Sequence, residues 1–200
     1  MKKSKVKPKK VLKVECMDAA TDAQFLDTKK VKSATETLKE EDYIVVIPKN
    51  YKKVHIKGPI LNKWLKALRS GKYQQTSEGV LRMGDSKSYC CLGVLCKVQG
   101  VLSRLKDNDA DKSFYDMSES LDGSTSTAQD AGALSQYNAL FSVLGFQGSF
   151  SCNSEGADVC VLYWPPGKDD FTIYRDLASL NDAGMTFEQI AEVIDTVWKA

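Results

Sequence analysis

The stretch Tyr43-Ile44-Val45-Val46-Ile47-Pro48 decides the fold class. Four β-branched residues in a row are stiff at χ1 and suit a pleated surface. The run is apolar throughout and stops at a proline, so it reads as a buried strand. Val54-His55-Ile56 is the expected partner strand. A strand this apolar needs covering layers, and the chain downstream supplies candidate helices.

The clearest of these begins at Pro59, a residue suited to the first helical position. Ile60, Leu61, Trp64, Leu65 and Leu68 share one face, and Gly71 suits the position past the end. Gly79 to Met83 reads as a short strand and Gly84-Asp85-Ser86 as a turn. The run from Ser88 to Val98 is open to helix or strand. A cap at Ser88 and a stop at Gly100 favour the helix. Residues 103–127 are polar and read as a surface loop. Ala131 to Leu144 reads as a helix, and Phe146–Cys152 and Val159–Trp164 as strands. Two helices close the chain. One is expected over Tyr174–Asp182, stopped by Gly184. The other starts at Thr186, with Gln189 completing a capping box. Its inner face carries Phe187, Ile190, Ala191, Ile194 and Val197.

Upstream of Tyr43 the pattern weakens. Val11, Leu12 and Val14 suit a short strand and Asp18–Leu26 a short helix, while residues 29–40 show no clear apolar face. Charge is uneven as well. Residues 1–57 hold 15 Lys against 8 Asp or Glu, a net of +7, and the remainder holds 13 Lys or Arg against 18 Asp or Glu, a net of −5. The expected architecture is therefore α+β. A basic, loosely ordered arm (1–40) precedes one compact domain (41–200) with a small, mostly antiparallel sheet and about four helices.

Composition narrows the function classes. With 42% apolar and 27% charged residues the chain is ordinary globular material. No apolar run approaches the roughly 20 residues of a membrane span, and the basic start has no apolar stretch behind it. A cytoplasmic protein without membrane contact is expected. Its six cysteines, Cys16, Cys90, Cys91, Cys96, Cys152 and Cys160, are then expected as free thiols. Their spacing matches no zinc pattern, so neither metal nor cofactor is expected.

Two stretches resemble a known group when taken together. Tyr89-Cys90-Cys91-Leu92-Gly93-Val94-Leu95-Cys96 and Leu180-Asn181-Asp182-Ala183-Gly184-Met185-Thr186-Phe187-Glu188-Gln189-Ile190-Ala191 resemble signatures of small uncharacterised proteins of tailed bacteriophages. The helix from Trp64 to Gly71 precedes them in the order seen there, and the resemblance spans roughly residues 60–200. It implies an accessory gene product working in the host cytoplasm. It brings no chemistry.

The candidate sites come from the residues themselves. Cys90 and Cys91 stand where a helix begins, and free N–H groups there favour a thiolate. His55 is the single histidine available as a base, with Asp182 to orient it. The alternative is that these cysteines are small buried residues. Asn181, Tyr89, Trp64 and Trp164 are candidate ligand contacts; turn capping and core packing are the competing roles. Lys2, Lys3, Lys5, Lys7, Lys9 and Lys10 can contact nucleic acid or an acidic partner, or simply keep the arm solvated. Thr186–Ile194 resembles the first helix of a helix-turn-helix, but its surroundings are acidic, so duplex binding there is not expected. The leading expectation is a binding or inhibitory module for a host protein or small molecule. The second is a thiol-dependent hydrolase or transferase using Cys90 or Cys91.

Overall fold

A computed structural model describes residues 10–14, 29–49, 58–77, 82–83, 88–98, 105–108, 112–116, 127–128, 159–175 and 177–199. The elements in chain order begin with β1 (Lys10–Val14), α1 (Lys29–Thr35), β2 (Tyr43–Pro48) and α2 (Gly58–Leu68). Then come β3 (Gln74–Gln75), β4 (Arg82–Met83), β5 (Ser88–Tyr89) and α3 (Cys91–Val98). Strands β6 (Leu105–Asn108), β7 (Lys112–Asp116), β8 (Thr127–Ala128), β9 (Cys160–Tyr163) and β10 (Thr172–Tyr174) follow. Helices α4 (Leu177–Asp182) and α5 (Phe187–Lys199) end the series. The fold is α+β and forms one domain.

The main sheet has the order β1-β2-β9-β10. It is mixed: β1 and β2 run parallel, while β2–β9 and β9–β10 are antiparallel. Alternation along β2 explains why its sequence is apolar at every position. Tyr43, Val45 and Ile47 join Val161 and Tyr163 in a core built with α2, α3, α4 and α5. Ile44 and Val46 face the other way and pack with Leu12, Val31, Ala34, Leu38, Cys160 and Leu162. A strand covered on both faces has no polar side to show.

The second layer on that far face is α1, which corrects one expectation. Val31, Ala34 and Leu38 recur at i, i+3 and i+7 and make the apolar face that residues 29–40 were expected to lack. Lys10–Val14 and Lys29–Thr35 are therefore built into the fold. Val54–Ile56, the 131–144 helix and the 146–152 strand lie outside the described residues.

Three further corrections follow. A second sheet, β3-β5-β4-β7-β6 with β8 beside β7, draws β6, β7 and β8 from the stretch expected to be loop. Residues 172–174 pair with β9 as a strand, so the helix expected from Tyr174 begins at Leu177. Ser88 lies in a strand and the helix starts at Cys91, displacing the cap to Cys90. Five helices are present among the described residues.

Caps and turns otherwise follow the residues. Gly71, Gly167 and Gly184 sit at φ 68°, 70° and 87°, where a Cβ is disfavoured. Thr186 and Gln189 form the capping box: the Gln189 N–H donates to Thr186 Oγ1 at 3.3 Å and the Thr186 N–H to Gln189 Oε1 at 2.9 Å. Gln189 also donates from Nε2 to the Glu41 carbonyl at 3.1 Å. Glu41 is held at φ 66° by this bond and by its own N–H donating to the Trp164 carbonyl at 2.8 Å.

Candidate functional site

The cysteine stretch is a strand-to-helix turn set in the middle of the core. Cys90 is the N-cap of α3. Its carbonyl accepts the Val94 N–H at 3.0 Å, and its Sγ accepts the Gly93 N–H at 3.3 Å. A serine, threonine or aspartate oxygen commonly fills that role. The first six residues of α3, Cys91 to Cys96, are apolar and all buried, and only Lys97 near its end is exposed. That marks an interior helix, not an amphipathic surface one.

One side chain joins this turn to β3 and α4. Asn181, 0% exposed on α4, accepts the Cys91 N–H at 3.2 Å and the Gln75 Nε2–H at 3.0 Å on its Oδ1. Its Nδ2 donates to the Thr76 carbonyl at 2.6 Å and to Asp182 Oδ1 at 3.2 Å. Gln75 extends the network, donating to the Met185 carbonyl at 2.7 Å and accepting the Phe187 N–H at 3.0 Å. Trp64, fully buried on α2, donates its indole N–H to the Cys91 carbonyl at 2.9 Å. The start of α3 is thus held by α2, β3 and α4 together. A buried amide meeting four partners is satisfied, which is the condition for a polar group to stabilise a core.

The thiols fit the same picture. Cys90 is 1% exposed and Cys91 0%. Burial works against thiolate formation at both. At Cys90 it is outweighed by the Cys91 thiol and by the Gly93 and Leu92 amides, so Cys90 is lowered and is the first of the pair to ionise. Cys91 is pushed well up by burial and by Cys90, and its Sγ–H points to the Leu177 carbonyl at 3.4 Å. Burial pushes Cys96 up to about 12. Cys90, Cys91, Cys96 and Cys160 are free thiols.

Cys90, Cys91, Asn181, Trp64 and Tyr89 are therefore brought together, with Asp182 touching the group through Asn181. Their bonds run mostly to backbone groups of the fold. Tyr89 packs edge-on against Tyr73, with centroids 5.5 Å apart. Trp164 belongs elsewhere: it packs against the α1 cluster and donates its Nε1–H to the Lys168 carbonyl at 2.7 Å. His55 and Lys2–Lys9 lie outside the described residues, as do Cys16 and Cys152. Among the described residues no cluster of three or more His, Cys, Asp or Glu side chains is placed to hold a metal ion. No helix among them is long and apolar enough to cross a membrane. Gln75 was not legible beforehand, because a Gln-Gln pair in a short strand carries no periodic signal.

A different surface is open. An open groove of ≈ 490 Å³ runs between β1 and the start of α1, lined by Lys10, Val11, Leu12, Lys13, Lys29, Lys30 and Ser33. All four lysines are exposed. Leu12 forms its floor and is buried, whereas Val11 is 42% exposed.

The profile of the family described as "Domain of unknown function (DUF8296)" matches residues 56–198. The chain belongs to that family. The matched span covers the buried strut of this chain: α2, the cysteine turn and Asn181 all fall inside it. The lysine groove lies upstream of it. No curated protein matches the chain, and no solved structure matches it.

Proposed function

We propose that this chain is a binding module that engages an acidic host factor through its basic N-terminal face, as a phage accessory protein in the host cytoplasm. The observation that carries the reading is the groove, which gathers Lys10, Lys13, Lys29 and Lys30 from two elements around one exposed valine. The +7 net charge of residues 1–57 supports it, since a surface of one sign steers and holds an oppositely charged partner. The resemblance of the cysteine and closing-helix stretches to tailed-phage proteins supports the phage origin.

The test uses a fluorescent polyglutamate peptide as probe. Wild type binds it with an affinity that falls as salt rises. A variant with Lys10→Glu, Lys13→Glu, Lys29→Glu and Lys30→Glu loses that binding. Equal binding by the variant, or binding to duplex DNA alone, removes the acidic-partner reading. A second reading, a thiol-dependent hydrolase or transferase, is favoured by the lowered Cys90 thiol at a helix start. It requires that Cys90 become accessible, and rapid, selective alkylation of Cys90 by iodoacetamide in the folded protein is the result it predicts.

A further inference from the structure

Strand β1 is the edge of the main sheet and, among the described residues, pairs with β2 alone. The phase of that pairing is fixed by one bond: the Lys49 N–H donates to the Val14 carbonyl at 2.8 Å. In a strand the N–H and C=O of one residue point to the same edge, and successive residues alternate. The backbone groups of Lys10, Leu12 and Val14 therefore turn toward β2, and those of Val11 and Lys13 turn outward. Val11 is also the large apolar side chain left 42% exposed.

The charges around this edge decide what can join it. Lys10 and Lys13 flank Val11 on the strand, and Lys29 and Lys30 stand across the groove. Lysines on an edge strand discourage indiscriminate pairing. A second copy of this chain would set lysine against lysine, which opposes pairing. A strand carrying carboxylates meets the opposite sign at each of these positions. We propose that β1 accepts an extended acidic segment of a partner protein as an added strand, with backbone bonds to Val11 and Lys13. This rests on the acidic-partner reading above and specifies its mode: main-chain bonds supply affinity and the lysines select the partner.

The probe is a peptide alternating glutamate and valine, compared with polyglutamate, which lacks strand-forming residues. The Val11→Pro variant removes the outward donor while leaving the bonds of Lys10, Leu12 and Val14 to β2, a placement edge strands tolerate. We expect it to bind the alternating peptide about tenfold more weakly, the scale of a lost backbone hydrogen bond. Its binding to polyglutamate should not change. In the unaltered protein, the alternating peptide should slow amide exchange at Val11 and Lys13. That measurement stands even where the variant fails to fold. Unchanged exchange at both amides overturns strand addition. So does self-association of the chain through β1 in place of peptide binding. Loss of binding in the four-lysine reversal with none in Val11→Pro refutes strand addition but keeps the acidic-partner reading. Failure of both probes on wild type removes both.

Discussion

Replacing Asn181 is the most informative perturbation of the fold. Asn181→Leu keeps the side-chain volume nearly constant and removes all four bonds. The Cys91 N–H and the Thr76 carbonyl are then left facing an apolar group inside the core. Gln75 keeps its bonds to Met185 and Phe187, so it is not stranded. At about 1–3 kcal/mol for each buried unsatisfied group, the loss is about 2–6 kcal/mol. That is a large part of the roughly 5–15 kcal/mol expected of a domain. Asn181→Asp separates shape from hydrogen bonding. Its carboxyl still accepts from Cys91 and Gln75, but the second oxygen meets the Thr76 carbonyl where an N–H₂ donated at 2.6 Å. Burial and that carbonyl favour the protonated acid, raising its pKa in the fold above the ordinary value of about 3.9. The native state then holds a proton that the unfolded state has lost. Stability is full below about pH 3.9 and is lost as pH rises through the raised folded value. Urea unfolding at several pH values measures both effects. A loss under about 0.5 kcal/mol in Asn181→Leu, the range of an ordinary surface change, refutes the strut. A pH-independent loss in Asn181→Asp refutes the assigned contacts.

Four other outcomes are expected. Trp64→Phe keeps an aromatic ring but removes the indole bond to the Cys91 carbonyl, which keeps its in-helix partner, so unfolding free energy should fall by about 0.5–1.5 kcal/mol in urea titration. Cys90→Ser preserves an acceptor for the Gly93 amide and should be close to neutral, whereas Cys90→Ala loses a cap worth about 1 kcal/mol. Gly184→Ala should cost about 1–2 kcal/mol by thermal or urea unfolding: φ is 87° and the added methyl meets only the Pro166 Cδ, at 3.9 Å, so the penalty is backbone strain. Burial, then the charge of Glu41 and Tyr174, pushes Tyr163 from its ordinary 10 up to about 12, and Tyr43 is raised by burial and Glu192 against the opposing Arg69. Both phenols stay protonated in the fold after the unfolded chain has ionised, so Tm should hold to about pH 10 and fall between about pH 10 and 12.

The parts of the fold legible in the sequence are those where one element sets its own pattern. Tyr43–Ile47 declared itself because a strand covered on both faces is apolar at each residue. Helix α5 did so through its capping box and the buried positions Phe187, Ile190, Ala191, Ile194 and Val197. Elements whose partner is distant were harder. Helix α1 shows only Val31 and Ala34 to the core in seven residues, too few to stand out among lysines. Strand β10 is three residues of mixed exposure whose state is fixed by pairing with β9. The site divides in the same way. The cysteine turn was visible as a helix start, but Cys90 replaced Ser88 as cap because Ser88 and Tyr89 are taken up by pairing with β3. The role of Asn181 depends on Gln75 and Thr76, roughly a hundred residues away, which no local pattern encodes.

Timed alkylation by iodoacetamide at neutral pH, read by peptide mass spectrometry, tests most directly whether the cysteine turn is a strut. With Cys90 at 1% exposure and Cys91 and Cys96 at 0%, all three should label only as fast as the core opens, and speed up together in urea. Rapid, selective labelling of Cys90 in the folded protein would contradict a purely architectural role and put a reactive thiol in its place.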